Sequence, residues 1–178
     1  IKENILIIGG SSGIGNDLLK LFLNNKKIKI ISTYYKNKIN ENKKNLTVKK
    51  LNVETDLFAI YKIIKKFEPI IIYYFPTPKI FFNQINDKNI VELYKKYFIH
   101  IPIKIIKYAS NFRSKFFYPS TTYTNSISPY SLIKLKAENE ISKLKKLTTK
   151  INILKIPEVN TKQNLSLISA KLPNFRDL

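Results

Sequence analysis

Short apolar runs alternate along the chain with longer stretches in which apolar residues recur at helical spacing. The runs predict six strands, at 4–8, 28–33, 46–51, 70–75, 115–118 and 151–156. The longer stretches predict helices over 13–25, 55–67, 89–110 and 129–147. Strands that alternate with helices indicate a parallel sheet covered on both faces, and strands without strict polar alternation agree with burial on both sides. The pattern therefore predicts an α/β fold, a doubly wound parallel sheet in three α/β/α layers.

Prolines and polar stretches refine the predicted element boundaries. Pro102 falls inside the third predicted helix and should kink it, and Pro119 should end the fifth strand. We find no internal repeat and no interdomain linker, so residues 1–178 are expected to form one domain. The Asn- and Lys-rich stretch 36–45 is predicted to be a surface loop. Residues 157–178 have weak periodicity and are interpreted as the start of a substrate lid or of a truncated domain.

Composition and charge narrow the function classes. The 178 residues are 44% hydrophobic, enough for a real core despite a formal net charge of +20. The basic residues are 30 Lys against 2 Arg, scattered among Ile and Asn, which is typical of a genome with strong base bias. We therefore expect no specific nucleic-acid binding, only loose attraction to polyanions at low salt. No apolar run approaches a membrane span and no signal-peptide pattern begins the chain, so a cytoplasmic location is expected, with no membrane partner.

Metal and disulfide chemistry is largely excluded by residue counts. The chain has no Cys and one His, His100, which rules out thiolate sites and sites with two histidines. No metal site is expected.

All four glycines lie within seven positions, between the first predicted strand and the first predicted helix. Such a turn lets the backbone approach a pyrophosphate, whose charge is favoured by the N–H groups of the helix N-terminus. A tight turn without a ligand is the alternative. The loop residues assigned to cofactor binding are Gly9, Gly10, Ser11, Ser12, Gly13, Ile14 and Gly15.

The residues from 5 to 15, Ile-Leu-Ile-Ile-Gly-Gly-Ser-Ser-Gly-Ile-Gly, resemble the cofactor fingerprint of the short-chain dehydrogenase/reductase family. Further matches follow in the family's order, at Pro-Ser-Thr-Thr (119–122), Tyr-Ser-Leu-Ile-Lys (130–134) and Ile-Pro-Glu-Val (156–159). The resemblance covers nearly the whole chain. It implies a Rossmann-like NAD(P)-binding fold, hydride transfer to or from a small-molecule substrate, and a homodimer or homotetramer.

Tyr130 and Lys134 are four residues apart on a predicted helix and should face the same side. A neighbouring ammonium should lower the tyrosine pKa from about 10, which suits Tyr130 to general acid/base chemistry. A solvated helix pair is the alternative. The family resemblance implies that Lys134 also binds the nicotinamide ribose.

Two adjacent hydroxyls, Ser120 and Thr121, are candidates for the third catalytic group. The Ser-Thr-Thr-Tyr run resembles the family's sugar-nucleotide branch, in which the Thr after the Ser is active. This favours Thr121, with Ser120 retained as the second candidate. A turn or helix cap would also use such hydroxyls.

Three positions depart from the family pattern. Tyr-Tyr-Phe-Pro (73–76) replaces the usual Asn-Asn-Ala-Gly, so bulky side chains could crowd or reshape the wall beside the cofactor. Phe98 replaces the helix Asn that holds a proton-relay water, with His100 as a substitute by sequence proximity and a structural role of this lone histidine as the alternative. Asn52-Val53 replaces Asp-Val near the adenine, where the Asn carbonyl could accept the adenine amino group's hydrogen bond.

The residues after the second strand bear on cofactor choice. A strand-end acid would select NAD, but the first acid downstream is Glu41. Lys36 could face a 2′-phosphate and Thr33 could donate its hydroxyl, so a weak preference for NADP(H) is predicted, with NAD(H) as the alternative. Lys36 as one more solvated lysine is the other interpretation.

Three functions remain open from the sequence. The leading one is an NAD(P)-dependent oxidoreductase that acts on a carbonyl or secondary alcohol. The second is a sugar-nucleotide epimerase or dehydratase of the extended branch, which recycles its bound cofactor. The third is a non-catalytic dinucleotide-binding protein.

Overall fold

A computed structural model describes residues 3–80, 87–122, 128–146 and 150–157, without the side chains of 145 and 146. Its strands form one parallel sheet: β1 (Glu3–Ile8), β2 (Ile28–Tyr34), β3 (Leu46–Lys50), β4 (Ile71–Tyr74), β5 (Lys115–Thr121) and β6 (Ile151–Ile156). The helices are α1 (Gly13–Leu23), α2 (Leu57–Phe67), α3 (Lys88–Lys95), α4 (Ile101–Ala109) and α5 (Pro129–Ser142). The expected α/β fold is confirmed. Of the proposed lid segment, 157–178, all but Pro157 lies outside the described residues.

The strand order is β3-β2-β1-β4-β5-β6, with every neighbouring pair parallel. The chain winds outward from β1 to β3 and then returns to β4, which lies on the other side of β1. Ile8 and Tyr74 form the last registered pair of β1 and β4. In such a sheet, ligands bind in the crevice beyond the carboxyl ends of the strands at this reversal.

Strand β1 shows why the strands are apolar at consecutive positions. Leu6 and Ile8 belong to the larger core cluster, whereas Ile5 and Ile7 belong to the smaller cluster on the opposite face, with Leu19 and Leu23 of α1. Alternate side chains of a strand point to opposite faces. Both sets are buried, as expected of a parallel sheet with helices on both faces.

The predicted long helix is interrupted near Pro102, as expected. A π-helical turn (Lys96–His100) separates α3 from α4, and Pro102 is the second residue of α4. Because Pro102 has no N–H, the carbonyl of Phe98, four residues earlier, needs another donor. The hydroxyl of Tyr118 donates to that carbonyl at 3.0 Å, so a β5 side chain stabilises the break.

The prediction that Pro119 ends the fifth strand is wrong, because β5 continues to Thr121. Lys115 donates to Ile70 and Phe116 donates to Lys150, so odd-numbered residues of β5 turn their N–H groups toward β4. The registered pairing with β4 stops at Phe117. The missing N–H of Pro119 therefore leaves no strand partner unsatisfied, and Thr121 is held at the end of a strand paired with β6.

Candidate active site

A cleft of about 680 Å³ opens at the carboxyl ends of the strands. It is bounded by the glycine loop, the end of β2, the turn after β3, the segment after β4, the end of β5 and the first turns of α5. The cleft is lined by all but one of the residues assigned from sequence: Gly9, Ser11, Ser12, Gly13, Ile14, Gly15, Thr33, Lys36, Asn52, Val53, Ser120, Thr121, Tyr130 and Lys134. The structure thus brings distant sequence segments into one concave site.

Gly10 is the exception. It lies against Ser32 of β2, whose Oγ would overlap a Cβ on residue 10. Its N–H donates to the Thr33 carbonyl at 2.9 Å. The structure therefore places Gly10 behind the loop, where it allows close packing on β2, and not on the cleft surface.

The loop itself has the left-handed backbone that glycine adopts readily. Gly9 has φ 82° and Gly13 has φ 52°. The ideal Cβ position on Gly9 lies 3.1 Å from the Pro76 nitrogen, so even a methyl group would be tight there. Helix α1 begins directly at Gly13 and has no acidic residue in its first turn. The loop and this helix N-terminus form a cradle for an anionic group.

The Thr33 side chain is hydrogen-bonded to the glycine loop. Its hydroxyl oxygen accepts a hydrogen bond from the Gly9 N–H at 3.1 Å, and the residue is only 1% exposed. This buried contact ties the glycine loop to β2. This contact uses the Thr33 oxygen as acceptor and not its hydroxyl proton, so the expected donation to a 2′-phosphate stays a prediction.

The bulky residues 73–76, at the end of β4 and directly after it, divide between the core and the cleft wall. Tyr74 is buried and donates to the Tyr97 carbonyl at 2.8 Å, while Tyr73 packs against Phe22 and Phe117 on the other face. Phe75 and Pro76 do line the cleft. The two tyrosine rings therefore enter the core layers, whereas Phe75 and Pro76 form part of the cleft wall.

Tyr130 and Lys134 lie in the first two turns of α5, whose N-cap Ser128 accepts from the Ser131 N–H at 3.2 Å. Lys134 is 5% exposed, and its ammonium donates to the Pro119 carbonyl at 2.8 Å. The same group lies 5.9 Å from the centroid of the Tyr130 ring. The pair shares a buried face of the helix and is not a solvated pair.

Burial reverses the expected electrostatics of this pair. Desolvation raises the pKa of Tyr130 to about 12, with Tyr94 adding to the rise and a hydrogen bond with Thr121 opposing it. Desolvation lowers the pKa of Lys134 to about 7, against the opposing charge of Glu138. The expected lowering of the tyrosine pKa by Lys134 is not met in this structure, because burial dominates the Tyr130 shift and Lys134 does not contribute to it.

The two candidate hydroxyls have different partners. The Ser120 hydroxyl donates to Oε1 of Glu138, whereas Thr121 hydrogen-bonds with Tyr130. Thr121 is therefore the hydroxyl in contact with the candidate acid/base. The Ser120 hydroxyl is instead bound to a carboxylate of α5.

At the other end of the cleft, the Asn52 side chain closes a turn. Its Oδ1 accepts from the Glu54 N–H at 3.1 Å, so the carbonyl expected to meet an adenine amino group already has a partner. Val53 is buried and lines the cleft beside it. Lys36 is exposed at the rim and forms no ion pair with any residue that the structure describes.

Sequence reasoning missed a polar cluster beside this turn. Glu54 pairs with Lys96 at 2.9 Å and accepts from the Tyr97 hydroxyl at 3.1 Å, and both Glu54 and Tyr97 line the cleft. Burial raises the pKa of Tyr97 to about 12, and Glu54 adds to the rise. No local motif marks these residues, because the π-helical turn brings them together. His100 is exposed on that turn and is not among the residues that line the cleft.

Among the residues that the structure describes, no three His, Cys, Asp or Glu side chains form a group able to bind a metal ion. Within the same ranges, none of the helices has the length and apolar character needed to cross a membrane.

No protein-family model and no curated protein matches the sequence. Solved structures do match. A short-chain dehydrogenase family protein from Francisella tularensis aligns with a TM-score of 0.78 at 20% identity, over 94% of this chain and 74% of that one. A short-chain dehydrogenase from Burkholderia cenocepacia in complex with NADP aligns with a TM-score of 0.78 at 9% identity, over 96% of this chain and 78% of that one.

UDP-glucose 4-epimerase from Thermotoga maritima gives a TM-score of 0.70 at 17% identity, over 85% of this chain and 54% of the epimerase. The chain thus spans about three-quarters of the dehydrogenases and about half of the epimerase. It has the Rossmann-like fold that these short-chain dehydrogenases and this epimerase share.

Proposed function

We propose that the protein is an NAD(P)-dependent oxidoreductase of the short-chain dehydrogenase/reductase type. The observation that carries the proposal is one cleft with a glycine loop at one side and a buried Tyr130–Thr121–Lys134 group at the other. The substrate class is a carbonyl compound or a secondary alcohol.

The glycine loop fits a dinucleotide for a structural reason. A Cβ on residue 9 would lie 3.1 Å from the Pro76 nitrogen, so glycine lets the loop backbone pass close to the segment after β4. The absence of a side chain on Gly15 lets α1 pack against the Gly9 carbonyl. The N–H groups at the start of α1 favour a pyrophosphate. When bound, the nicotinamide would supply or accept the hydride.

The chain's own residues handle the proton. The Tyr130 hydroxyl keeps its proton at neutral pH because burial raises its pKa to about 12. It can therefore donate to a carbonyl oxygen as that oxygen gains negative charge, with Thr121 orienting the phenol. Lys134 places a charge beside the site when protonated, and the family resemblance implies that it also binds the ribose.

A second candidate function is a sugar-nucleotide epimerase or dehydratase with a recycled cofactor. The Tyr130 contact with Thr121, and not with Ser120, favours it, because the sugar-nucleotide branch that this segment resembles uses the second hydroxyl. The choice between NADP(H) and NAD(H) belongs to the same proposal, with NADP(H) favoured by Lys36.

Fluorescence titration of the full chain with NADPH and NADH tests the proposal. Saturable binding is expected, and loss of nicotinamide absorbance should follow addition of a reducible carbonyl from a substrate panel. Conversion of a nucleotide sugar without net cofactor consumption would select the second function. Binding without turnover of any panel member would indicate the non-catalytic alternative, and absence of binding at millimolar dinucleotide would reject all three.

A further inference from the structure

Three polar residues form a stripe on the inner face of α5. Tyr130, Lys134 and Glu138 follow one another at intervals of four residues, a spacing that aligns side chains along a helix. Glu138 lies a turn below Lys134, with its side chain only 15% exposed. A carboxylate this far from water is costly unless its oxygens are paired.

Both carboxylate oxygens of Glu138 have partners on the sheet. Oε1 accepts from the Ser120 hydroxyl of β5, and Oε2 lies 3.6 Å from the Lys155 ammonium of β6. The side chain is thus held against two strands. Because the Ser120 hydroxyl donates to Glu138, its proton is not available to a substrate oxygen, whereas Thr121 contacts Tyr130.

Lys134 sits in a largely apolar pocket on the same stripe. Its ammonium lies 4.3 Å from the Phe98 ring centroid and 4.9 Å from that of Tyr118, with the Pro119 carbonyl as its hydrogen-bond acceptor. No carboxylate of the described residues forms a direct ion pair with it. Burial disfavours the charged lysine, and the charge of Glu138 acts in the opposite direction.

We propose that Glu138 is a positioning residue of this site, which anchors Ser120 so that Thr121 contacts Tyr130, and which places a carboxylate one helical turn from the Lys134 ammonium, where its charge favours the protonated lysine. The use of Lys134 in dinucleotide binding rests on the function proposed above.

The other titratable groups around Lys134 do not replace Glu138. Burial raises the pKa of Tyr118 on β5 and of Tyr130 on α5, so both are neutral near pH 7. Tyr94 on α3 faces Tyr130 and raises its pKa further. Lys155 on β6 lies 3.6 Å from Oε2 of Glu138, and its side chain is 51% exposed. Among the residues that the structure describes, Glu138 is therefore the carboxylate whose charge acts on Lys134.

The titration of Lys134 tests the proposal without any ligand. The full chain is labelled with ¹³Cε-lysine, and the Lys134 signal is identified by its loss in Lys134→Arg. Glu138→Gln should lower the midpoint by about one pH unit, as expected when a nearby opposite charge is removed. Glu138→Asp, which keeps the charge, should restore most of the shift.

Glu140→Gln is the matched control, because Glu140 lies on the same helix and pairs with Lys143 at the exposed surface. It should leave the Lys134 midpoint unchanged. A midpoint in Glu138→Gln equal to that of the unmutated protein would overturn the proposal. If Glu138→Gln does not fold, Ser120→Ala tests the other half of the proposal: because Glu138 holds the Ser120 hydroxyl, this variant should lose less turnover than Thr121→Ala, and an equal or larger loss would contradict the proposal.

Dinucleotide titration at pH 7.5 separates this inference from the proposed function. If the unmutated chain binds NADH, Glu138→Gln should weaken binding severalfold and Glu140→Gln should not. Binding that is equal in all three would reject the role of Glu138 alone. A chain that binds no dinucleotide would reject the proposed function, while the lysine titration would still decide whether Glu138 controls Lys134.

Discussion

The Lys134 ammonium lies 4.3 Å from the centroid of the Phe98 ring. Phe98 stands where the resemblance leads one to expect a helix Asn, and it comes from the π-helical turn before α4. An aromatic face attracts a cation but holds no water as an amide would. The lysine is consequently desolvated, and its pKa falls to about 7. Burial of Lys134 beside the rings of Phe98 and Tyr118 is the main cause of this lowered pKa, and the Glu138 charge opposes it.

Tyr130→Phe should abolish turnover and leave dinucleotide affinity nearly unchanged. The phenol proton is the reagent, whereas the glycine loop supplies most of the cofactor contacts. A loss of about 10²–10⁴-fold in turnover is expected for removal of a general acid. Steady-state kinetics and NADPH titration measure the two quantities.

Tyr108→Phe provides the control, since Tyr108 stacks on Tyr61 at 4.2 Å and is not among the residues that line the cleft. It should change neither quantity. Retained turnover with lost cofactor binding in Tyr130→Phe would show that the assignment is wrong.

Thr121→Ala should lower turnover by about tenfold or more, because Tyr130 loses the hydroxyl that orients it. Thr121→Ser should recover much of the rate, and Ser120→Ala should have a smaller effect than Thr121→Ala because Ser120 donates to Glu138. The ratio of the two alanine variants' kcat values is the measurement. A larger loss in Ser120→Ala would reverse the choice of hydroxyl.

Gly13→Val should eliminate dinucleotide binding. Residue 13 has φ 52°, and a branched side chain would be strained there by about 1–2 kcal/mol as well as occupying the space needed by the pyrophosphate. Dinucleotide titration and thermal unfolding measure the two effects. Lys20→Val, an exposed change in the same helix, is the control. Normal titration of Gly13→Val would count against the site.

Lys36→Ala should reduce a preference for NADP(H) over NAD(H) of about fivefold at low salt, the size expected for an exposed ion pair. Added salt should reduce the preference in the unmutated protein, because exposed charges are screened. Lys38→Ala is the matched control, an exposed lysine that is not among the residues lining the cleft. Tighter binding of NAD(H) than of NADP(H) would contradict the assignment and favour the epimerase-like function.

Lys134→Met should change how stability depends on pH. The pKa of Lys134 falls from 10.5 to about 7 on folding, so between these values the unfolded chain binds a proton that the folded chain does not. Stability contributed by this residue therefore rises with pH across that window, by at most about 1.4 kcal/mol per pH unit. Below pH 7 the full cost of burying the charge remains.

Urea unfolding of the unmutated chain and Lys134→Met at pH 7 and pH 9 measures this effect. The unfolding free energy of the unmutated chain should rise relative to that of the variant between the two pH values. A constant difference would show that Lys134 is not desolvated on folding.

The elements of the fold were predictable from local sequence. Strand β6 has the predicted bounds, Ile151–Ile156, and the other strands begin or end within a few residues of theirs. Consecutive apolar positions, as in Ile5 to Ile8, indicate burial on both faces because side chains alternate across a strand. The four-residue spacing of Tyr130 and Lys134 likewise determines that they share a helix face.

The chemistry of those residues depended on partners remote in sequence. Phe98 and Tyr118 exclude water from Lys134, and Glu138 selects between Ser120 and Thr121. Pro119 stays within β5 because β4 has already ended beside it. Desolvation, hydrogen-bond choice and strand pairing are set by what packs against a residue. The sequence therefore determined most of the groups that face the cleft, whereas only the tertiary structure placed Gly10 behind it, added Glu54 and Tyr97, and decided the protonation and partners of these groups.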